Sequence, residues 1–327
     1  MKPIKVVEIF LTLLLIVLAI YAGNISFGIR HKEPYTMGHN VPMYHFALIT
    51  DEDEGYFHQS FTSGLNSSSQ EKKVVVETYQ VNLESDHNTL KQHFETIWLS
   101  NVDGIIVKLS NNELARHYIQ MSHEKDISIV TVGNDSPDSQ RDAYIGTNKY
   151  DMGRVTAELC DESTNSVCKI AVILGNEFAE KSGSSNNNYI NGILEYSENN
   201  KSLIVESILY SSDKRAEFLV AELLNKKNID CIITTDPLDA LRVTRVLIDL
   251  NQVGNVKIIA SSDLPEIISY LDKGTIFASI VMDFETLGSK SVEILYYLLN
   301  EQRQSSYINI PIKILTKNNI EEYLKNQ

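Results

Sequence analysis

Short continuous apolar runs alternate with stretches whose apolar residues recur every three or four positions, from about residue 44 to the carboxyl end. The clearest unit spans 101–120. There Gly104-Ile105-Ile106-Val107 has the unbroken apolar character of a strand covered on both faces, and Leu114, Tyr118 and Met121 follow at helical spacing. Ser110, Asn111 and Asn112 therefore fall at the carboxyl end of a strand, the edge at which open α/β sheets bind ligands because loops and helix amino termini converge there. The same three residues also suit a helix N-cap, and on pattern alone both roles stay open.

The alternation continues on either side. Strands are expected at 45–50, 73–79 and 127–132, a helix from the acidic loop 51–57 to about 69, and another over 86–100, where Leu90, Phe94, Ile97 and Trp98 share a face. After Ala143-Tyr144-Ile145-Gly146-Thr147-Asn148 the pattern restarts. It predicts helices at 150–160, 214–225, 237–251, 265–273 and 284–299, and strands at 169–174, 203–210, 230–234, 256–260 and 276–281. A polar loop over 175–188 interrupts this set, and a last extended piece covers 307–315. Strand-helix alternation makes parallel sheets with right-handed crossovers the economical topology, and two successive sets of units predict two lobes. No repeat of solenoid period is present.

The amino terminus adds an address. Lys2 and Lys5 precede an apolar run over 9–22, and the wider stretch 6–29 approaches the roughly 20 residues a helix needs to cross a bilayer. It reads as a signal anchor or a signal peptide over 1–29. Cleavage after Ala22 would put Ile20 at a position that prefers a small residue, which favours retention as a membrane helix. Lys2 and Lys5 favour a cytoplasmic amino terminus and an outward-facing domain, an asymmetry that Arg30 and Lys32 weaken. No cysteine follows the run to carry a lipid, and 30–43, polar with Gly and Pro, reads as a linker.

Composition and charge narrow the chemistry. A chain of 327 residues that is 43% apolar and 22% charged is globular. Its net charge of -14 argues against nucleic-acid binding, which needs a concentrated basic face. Cys160, Cys168 and Cys231 cannot all pair within the chain and lack metal-ligand spacing; they read as buried thiols, with a Cys160–Cys168 disulfide as the alternative. The run Asp51-Glu52-Asp53-Glu54 lacks the spaced oxygens and glycine of a calcium loop and reads as a solvated cleft rim. No His-Glu-x-x-His or Gly-x-Ser-x-Gly pattern occurs, so nothing nominates a nucleophile, a metal or a cofactor.

Several segments, taken in order, carry a family likeness. They are Val102-Asp103-Gly104-Ile105-Ile106-Val107; Ile127-Ser128-Ile129-Val130-Thr131-Val132; Ile145-Gly146-Thr147-Asn148 with Gly153; Asn191-Gly192-Ile193; Thr235-Asp236 with Ala240; Ser262-Asp263; and Ala278-Ser279-Ile280 with Gly288. Over roughly 44–315 the chain resembles the ribose/galactose type of periplasmic sugar-binding protein, the type I fold shared with the effector domains of lactose-repressor-like regulators. The resemblance implies two Rossmann-like lobes with parallel sheets, joined by three hinge segments and closing on a ligand held between them. It puts the hinges near Asn148, near Met282 and Asp283, and near Pro311. The first lobe is then 44–148 plus 283–311, and the second 149–282 plus 312–327.

By the same resemblance Tyr56 and Phe57 stand where the family has stacking aromatics, and Glu54 where it often has Asn. Asn111 takes the place of a ligand-gripping Asp, Asn187 lies near that of an Arg, and Thr235 at that of a polar group. Asp263 matches an Asp directly, Met282 replaces a common Gln, and Gly133 and Asn134 replace a frequent Asp-Arg pair. Exchanging charged groups for Asn and Met removes hydrogen bonds worth about 1.5 to 3 kcal/mol each in a desolvated site, so the typical high-affinity pentose or hexose binding is not expected, and a weaker ligand, a different ligand and no ligand all stay open. For Tyr56 and Phe57 helix-start packing is the competing role, and for Asp263 an N-cap before Pro265. A membrane-anchored sensor of a monosaccharide, passing lobe closure to a membrane sensor histidine kinase, is the leading expectation. The substrate-binding part of an ABC sugar importer, working with its permease, is the alternative, and an enzyme on the same scaffold the third.

Overall fold

Backbone hydrogen bonding sorts the strands into two sheets. The first contains β1 (Tyr44–Asp51), β2 (Val74–Val81), β3 (Gly104–Lys108), β4 (Ser128–Val132), β5 (Ala143–Gly146) and, from late in the chain, β11 (Tyr307–Asn309). Its order is β11-β5-β4-β3-β1-β2, parallel throughout. The second contains β6 (Cys168–Leu174), β7 (Leu203–Tyr210), β8 (Cys231–Thr234), β9 (Lys257–Ser261), β10 (Ala278–Met282) and β12 (Ile312–Thr316), in the order β12-β10-β9-β8-β6-β7. Here β12 alone runs antiparallel, to β10. This computed structural model describes residues 43–51, 56–82, 87–164, 166–175, 187–211, 215–226 and 228–325; the amino-terminal segment assigned above to anchor and linker lies outside them.

Both faces of each sheet are covered, which is why the strands are apolar runs rather than alternating ones. In β3, Ile106 faces one side with α1 (Tyr56–Lys72) and α9 (Phe284–Leu299), while Ile105 and Val107 face α2 (His87–Leu99) and α3 (Asn112–His123) on the other. The second sheet is covered in the same way by α4 (Lys149–Glu162) and α5 (Asn188–Asn199) on one face. On the other lie α6 (Ala216–Lys226), α7 (Pro237–Asp249), α8 (Pro265–Asp272) and α10 (Ile320–Lys325). The chain changes sheet three times: between β5 and α4, between β10 and α9, and at Ile310-Pro311.

Three expectations about element bounds need correction. The single extended piece expected over 307–315 is two strands in different sheets, because Pro311 has no N–H to continue a ladder. The first helix runs past 69 to Lys72, and the strand expected from 276 begins at Ala278. The cysteines are free and buried, as the leading reading expected, and the alternative Cys160–Cys168 disulfide is not formed; Cys160 Sγ lies 3.3 Å from Cys231 Sγ instead. Burial raises the Cys160 thiol and pushes that of Cys168 up to about 12, which keeps both protonated.

Two helix crossings are unusually close. A Cβ on Gly64 of α1 would lie 1.9 Å from the Glu285 carbonyl oxygen of α9, and one on Gly288 of α9 would lie 2.0 Å from that of Phe61. The second lobe repeats the device, with Gly153 of α4 against Tyr189 at 2.0 Å and Gly192 of α5 against Tyr150 at 2.1 Å. Only a residue without Cβ permits such backbone contact. Gly64→Ala and Gly153→Ala are each expected to lower stability by about 1–3 kcal/mol through overpacking, although alanine is the better helix former by about 1 kcal/mol. Urea unfolding measures this, with exposed Ser67→Ala on α1 expected to stay within about 0.5 kcal/mol of the parent.

Candidate functional site

The carboxyl ends of the strands in both sheets give onto loops built from side-chain caps. In the first lobe Asp51, the last residue of β1, accepts the Ser110 N–H at 2.7 Å and so ties two neighbouring strand ends together. Asn111 is the N-cap of α3: its Oδ1 accepts the N–H groups of Glu113 at 3.1 Å and Leu114 at 3.0 Å. The residue is exposed, and with its oxygen on the helix its NH2 end is the part a ligand can use. Capping and ligand contact are therefore compatible in one side chain. After β4, Gly133 takes φ +74, and Asn134 donates to the Leu109 carbonyl at 3.4 Å while accepting from Lys149 Nζ at 3.0 Å. Beyond them Arg141 clamps Asp135 through both carboxylate oxygens, at 2.5 and 2.9 Å, and fixes the loop.

The second lobe uses the same chemistry. Thr235, buried after β8, accepts the Gly175 N–H at 2.9 Å and so joins the ends of β6 and β8. Asn187 is the buried N-cap of α5 and accepts the Ile190 N–H at 3.3 Å. Asp236 caps α7 through the Asp239 N–H at 3.0 Å, and burial raises its carboxyl above the ordinary value against that bond. Asp263 is not an N-cap: Leu264 holds that position before α8 and makes no side-chain cap, and Asp263 Oδ2 accepts instead from the Tyr323 hydroxyl. The preceding Ser262 has φ +103, a conformation costing about 1–3 kcal/mol for a non-glycine residue. It is held by Ser262 N–H to Ile280 O at 3.0 Å, Ser279 Oγ to Ser262 O at 2.5 Å and Leu264 N–H to Ser262 Oγ at 3.2 Å.

Between these two sets lie the three crossings, laced to one another. Ile310 N–H donates to Gly146 O at 2.9 Å, Thr147 Oγ1 to Ile310 O at 3.1 Å, and Asn148 N–H to Asn309 Oδ1 at 3.1 Å. Asn148 also caps α4 through the Tyr150 and Asp151 N–H groups. Met282 pairs across β10 and β12 with Ile312, the residue directly after Pro311. Asp283 caps α9 through the Thr286 N–H at 2.9 Å and accepts from Lys313 Nζ at 2.9 Å. Burial alone would raise its carboxyl, but these two donors outweigh it and hold it below the ordinary carboxylate value. A cavity of about 20 Å³, the size of one water, sits here among Gly133, Thr147, Lys149, Met282 and Ile310.

Of the residues named from sequence, Asn111, Asn187 and Thr235 occupy strand-end loops as local anchors, and Met282 lines the floor between the lobes. Glu54 lies outside the described residues, and of Tyr56 and Phe57 only the helical backbone is described. Lys149 and Tyr323 escaped sequence reading, and Asp51, read there as part of a solvated rim, instead ties the ends of β1 and β3 together. A lysine directly after the crossing at Asn148 was a usable signal for the first, whereas nothing local marks Tyr323, 60 residues from its partner. A larger groove of about 800 Å³ lies at the opposite edge, where the strands begin, against Trp98, Leu99 and Asp103. It is shallow and collects none of the strand-end caps. Among the described residues no group of three or more His, Cys, Asp or Glu could hold a metal ion, and no helix is long and apolar enough to cross a membrane.

The model of the periplasmic binding protein domain family matches residues 46–303. Among solved structures the chain is similar to GanP, a glucose-galactose binding protein from Geobacillus stearothermophilus, at 24% identity and a TM-score of 0.74, covering 84% of this chain and 98% of that one. It is similar to the chain matched in a XylFII-LytSN complex at 24% identity and 0.72, with the same coverages. It is also similar to an ABC transporter solute binding protein from Burkholderia graminis C4D1M in complex with D-arabinose, at 22% and 0.75, covering 86% and 98%. At these identities the structures establish the shared fold. No curated protein matches the chain.

The anchoring role of Thr235 is directly testable. Thr235→Val strands a buried N–H of Gly175 and is expected to cost about 1–3 kcal/mol in urea unfolding, while Thr235→Ser, which keeps the acceptor, costs much less.

Proposed function

The chain belongs to the periplasmic binding protein domain family, and from that premise we propose that it is an extracytoplasmic, membrane-anchored binding protein for a monosaccharide. It signals ligand-dependent lobe closure to a membrane partner such as a sensor histidine kinase. The observation that carries this reading is the triple crossing: among the described residues the chain passes between the two sheets at three neighbouring segments, at Asn148, Met282-Asp283 and Pro311. These segments are the proposed hinges, between lobes 44–148 plus 283–311 and 149–282 plus 312–327. A ligand touching both lobes is then bound more tightly by the closed arrangement and shifts the population toward it.

The ligand set proposed is Glu54, Tyr56, Phe57, Asn111, Asn187, Thr235, Asp263 and Met282, with Lys149 added from the structure. Planar amides, a hydroxyl and a carboxylate around aromatic side chains suit the many hydroxyls and faintly apolar faces of a sugar ring. Solved relatives in complex with D-arabinose and with LytSN support both the sugar and the partner. The apolar 6–29 stretch supports anchoring. Delivery to an ABC importer is the second reading, favoured by the transporter solute-binding relative. Binding rather than turnover is proposed, since the cysteines are buried as protonated thiols and no nucleophile pattern occurs in the sequence.

The test is a thermal-shift panel of D-galactose, D-glucose, D-arabinose, D-xylose and D-ribose on residues 44–327, which form one compact unit. One of these is expected to raise the melting temperature, by an amount equivalent to about 2.7 kcal/mol at a hundredfold excess over Kd. Asn111→Asp keeps the cap, so the unliganded melting point should hold while the ligand shift changes because the NH2 group is gone. A panel without any shift overturns the sugar assignment, and a shift unaltered in Asn111→Asp makes Asn111 a cap alone.

A further inference from the structure

The carboxyl-terminal strap, β12 followed by α10, runs a line of side-chain contacts from the cleft to the hinge. At one end the Tyr323 hydroxyl on α10 donates to Oδ2 of Asp263, beyond the end of β9. In the middle the Lys313 ammonium on β12 lies 5.9 Å from the centre of the Tyr323 ring, a cation–π distance. At the other end the same ammonium is 2.9 Å from Asp283 Oδ2. Asp283 Oδ1 is the N-cap of α9, and α9 packs on the first sheet, whereas Lys313 belongs to a strand of the second. The Lys313–Asp283 pair thus bridges the two lobes at a crossing. The strap is also laced along its length, from Met282↔Ile312 to Ala278↔Thr316, to the strand that leads into that crossing.

The cleft end of this line is held from both sides. Ser262 keeps an unfavourable φ of +103 under three hydrogen bonds, which aims the next residue, Asp263, while Tyr323 fixes its carboxylate. A device that spends backbone strain to orient one carboxylate, and then links that carboxylate through a ring and an ammonium to the cap of a helix in the other lobe, does more than seal a surface.

We propose that Tyr323 and Lys313 are positioning residues that couple the Asp263 end of the cleft to the hinge at Asp283. The inference rests on the reading of the protein as a two-lobed binder that closes. With both contacts in place the Asp263 turn and the cap of α9 keep one relative arrangement, and the lobes are held together across the crossing. A ligand hydroxyl competing for Asp263 does so at the expense of the Tyr323 bond, which frees the ring from beneath Lys313 and weakens the pair that spans the lobes.

The experiment measures the interlobe distance distribution in the full-length protein without any sugar. Spin labels are placed at Asn112→Cys and Leu238→Cys, exposed positions in the first turns of α3 and α7 at the strand-end edges of the two lobes; the native cysteines are buried and stay unlabelled. Tyr323→Phe and Lys313→Met should each widen the distribution, Asp263→Ala, which removes the acceptor, should match Tyr323→Phe, and the double variant Tyr323→Phe/Lys313→Met should widen it no more than the larger single change. Lys317→Met, an exposed control on the same strap, should leave it unchanged. Distributions that superimpose on the parent in both single variants, or effects that simply add, overturn the coupling. Because no sugar is present, a sugar panel without effect defeats the ligand assignment and leaves this result standing, and the reverse outcome defeats the coupling alone.

Discussion

Backbone contact between helices is the constraint on which the rest depends. Where α1 meets α9, and α4 meets α5, the glycines leave no side chain between the two backbones, so the contact cannot be adjusted by a rotamer change. In each pair one helix starts at a strand-end loop of the cleft, α1 after β1 and α5 after β6, and the other starts at a crossing, α9 after Asp283 and α4 after Asn148. Each cleft loop is therefore fixed to a hinge helix as part of one body. Relative movement is left to the few residues between the sheets, and those residues carry their own lacing of hydrogen bonds.

The same economy shapes the cleft. Among the described residues, polar side chains at the strand ends perform structural tasks first: Asn111, Asn187 and Asp236 cap helices, Thr235 closes a loop, and Asp51 bridges two strands. An orphan helix-start N–H needs an acceptor whatever the protein does, so caps place oriented amides and carboxylates at the sheet edge at little extra cost in stability. An amide spends only its oxygen on the cap and keeps its NH2 end. At the proposed site Asn111 thus presents a donor where an aspartate would present an acceptor, without loosening the helix it caps.

Much of this was legible in the sequence, and the reasons differ by feature. Strands such as Gly104–Lys108 announce themselves because burial on both faces removes polar positions, and the alternation of strands with helical periods is enough to give a two-lobed α/β arrangement. The 307–315 stretch misled because its extended character says nothing about which sheet each half joins; that is decided by Pro311 at the crossing. The cysteines were legible as buried thiols, but not which of them meet. Cys160 and Cys168 are near in sequence, but Cys160, on α4, lies against Cys231 of β8, 71 residues away. Asp263 illustrates the limit most plainly, since its position was readable while its partner, Tyr323, arrives from the end of the chain through α10.

If rigid lobes and a narrow hinge are the right description, binding must change the shape of the molecule without changing its secondary structure. Small-angle X-ray scattering of residues 44–327, titrated with the monosaccharide that stabilises the protein most, tests this directly. The account predicts a radius of gyration that falls in step with ligand saturation while the far-ultraviolet circular dichroism stays constant. A saturated protein whose radius of gyration equals that of the free form would contradict it.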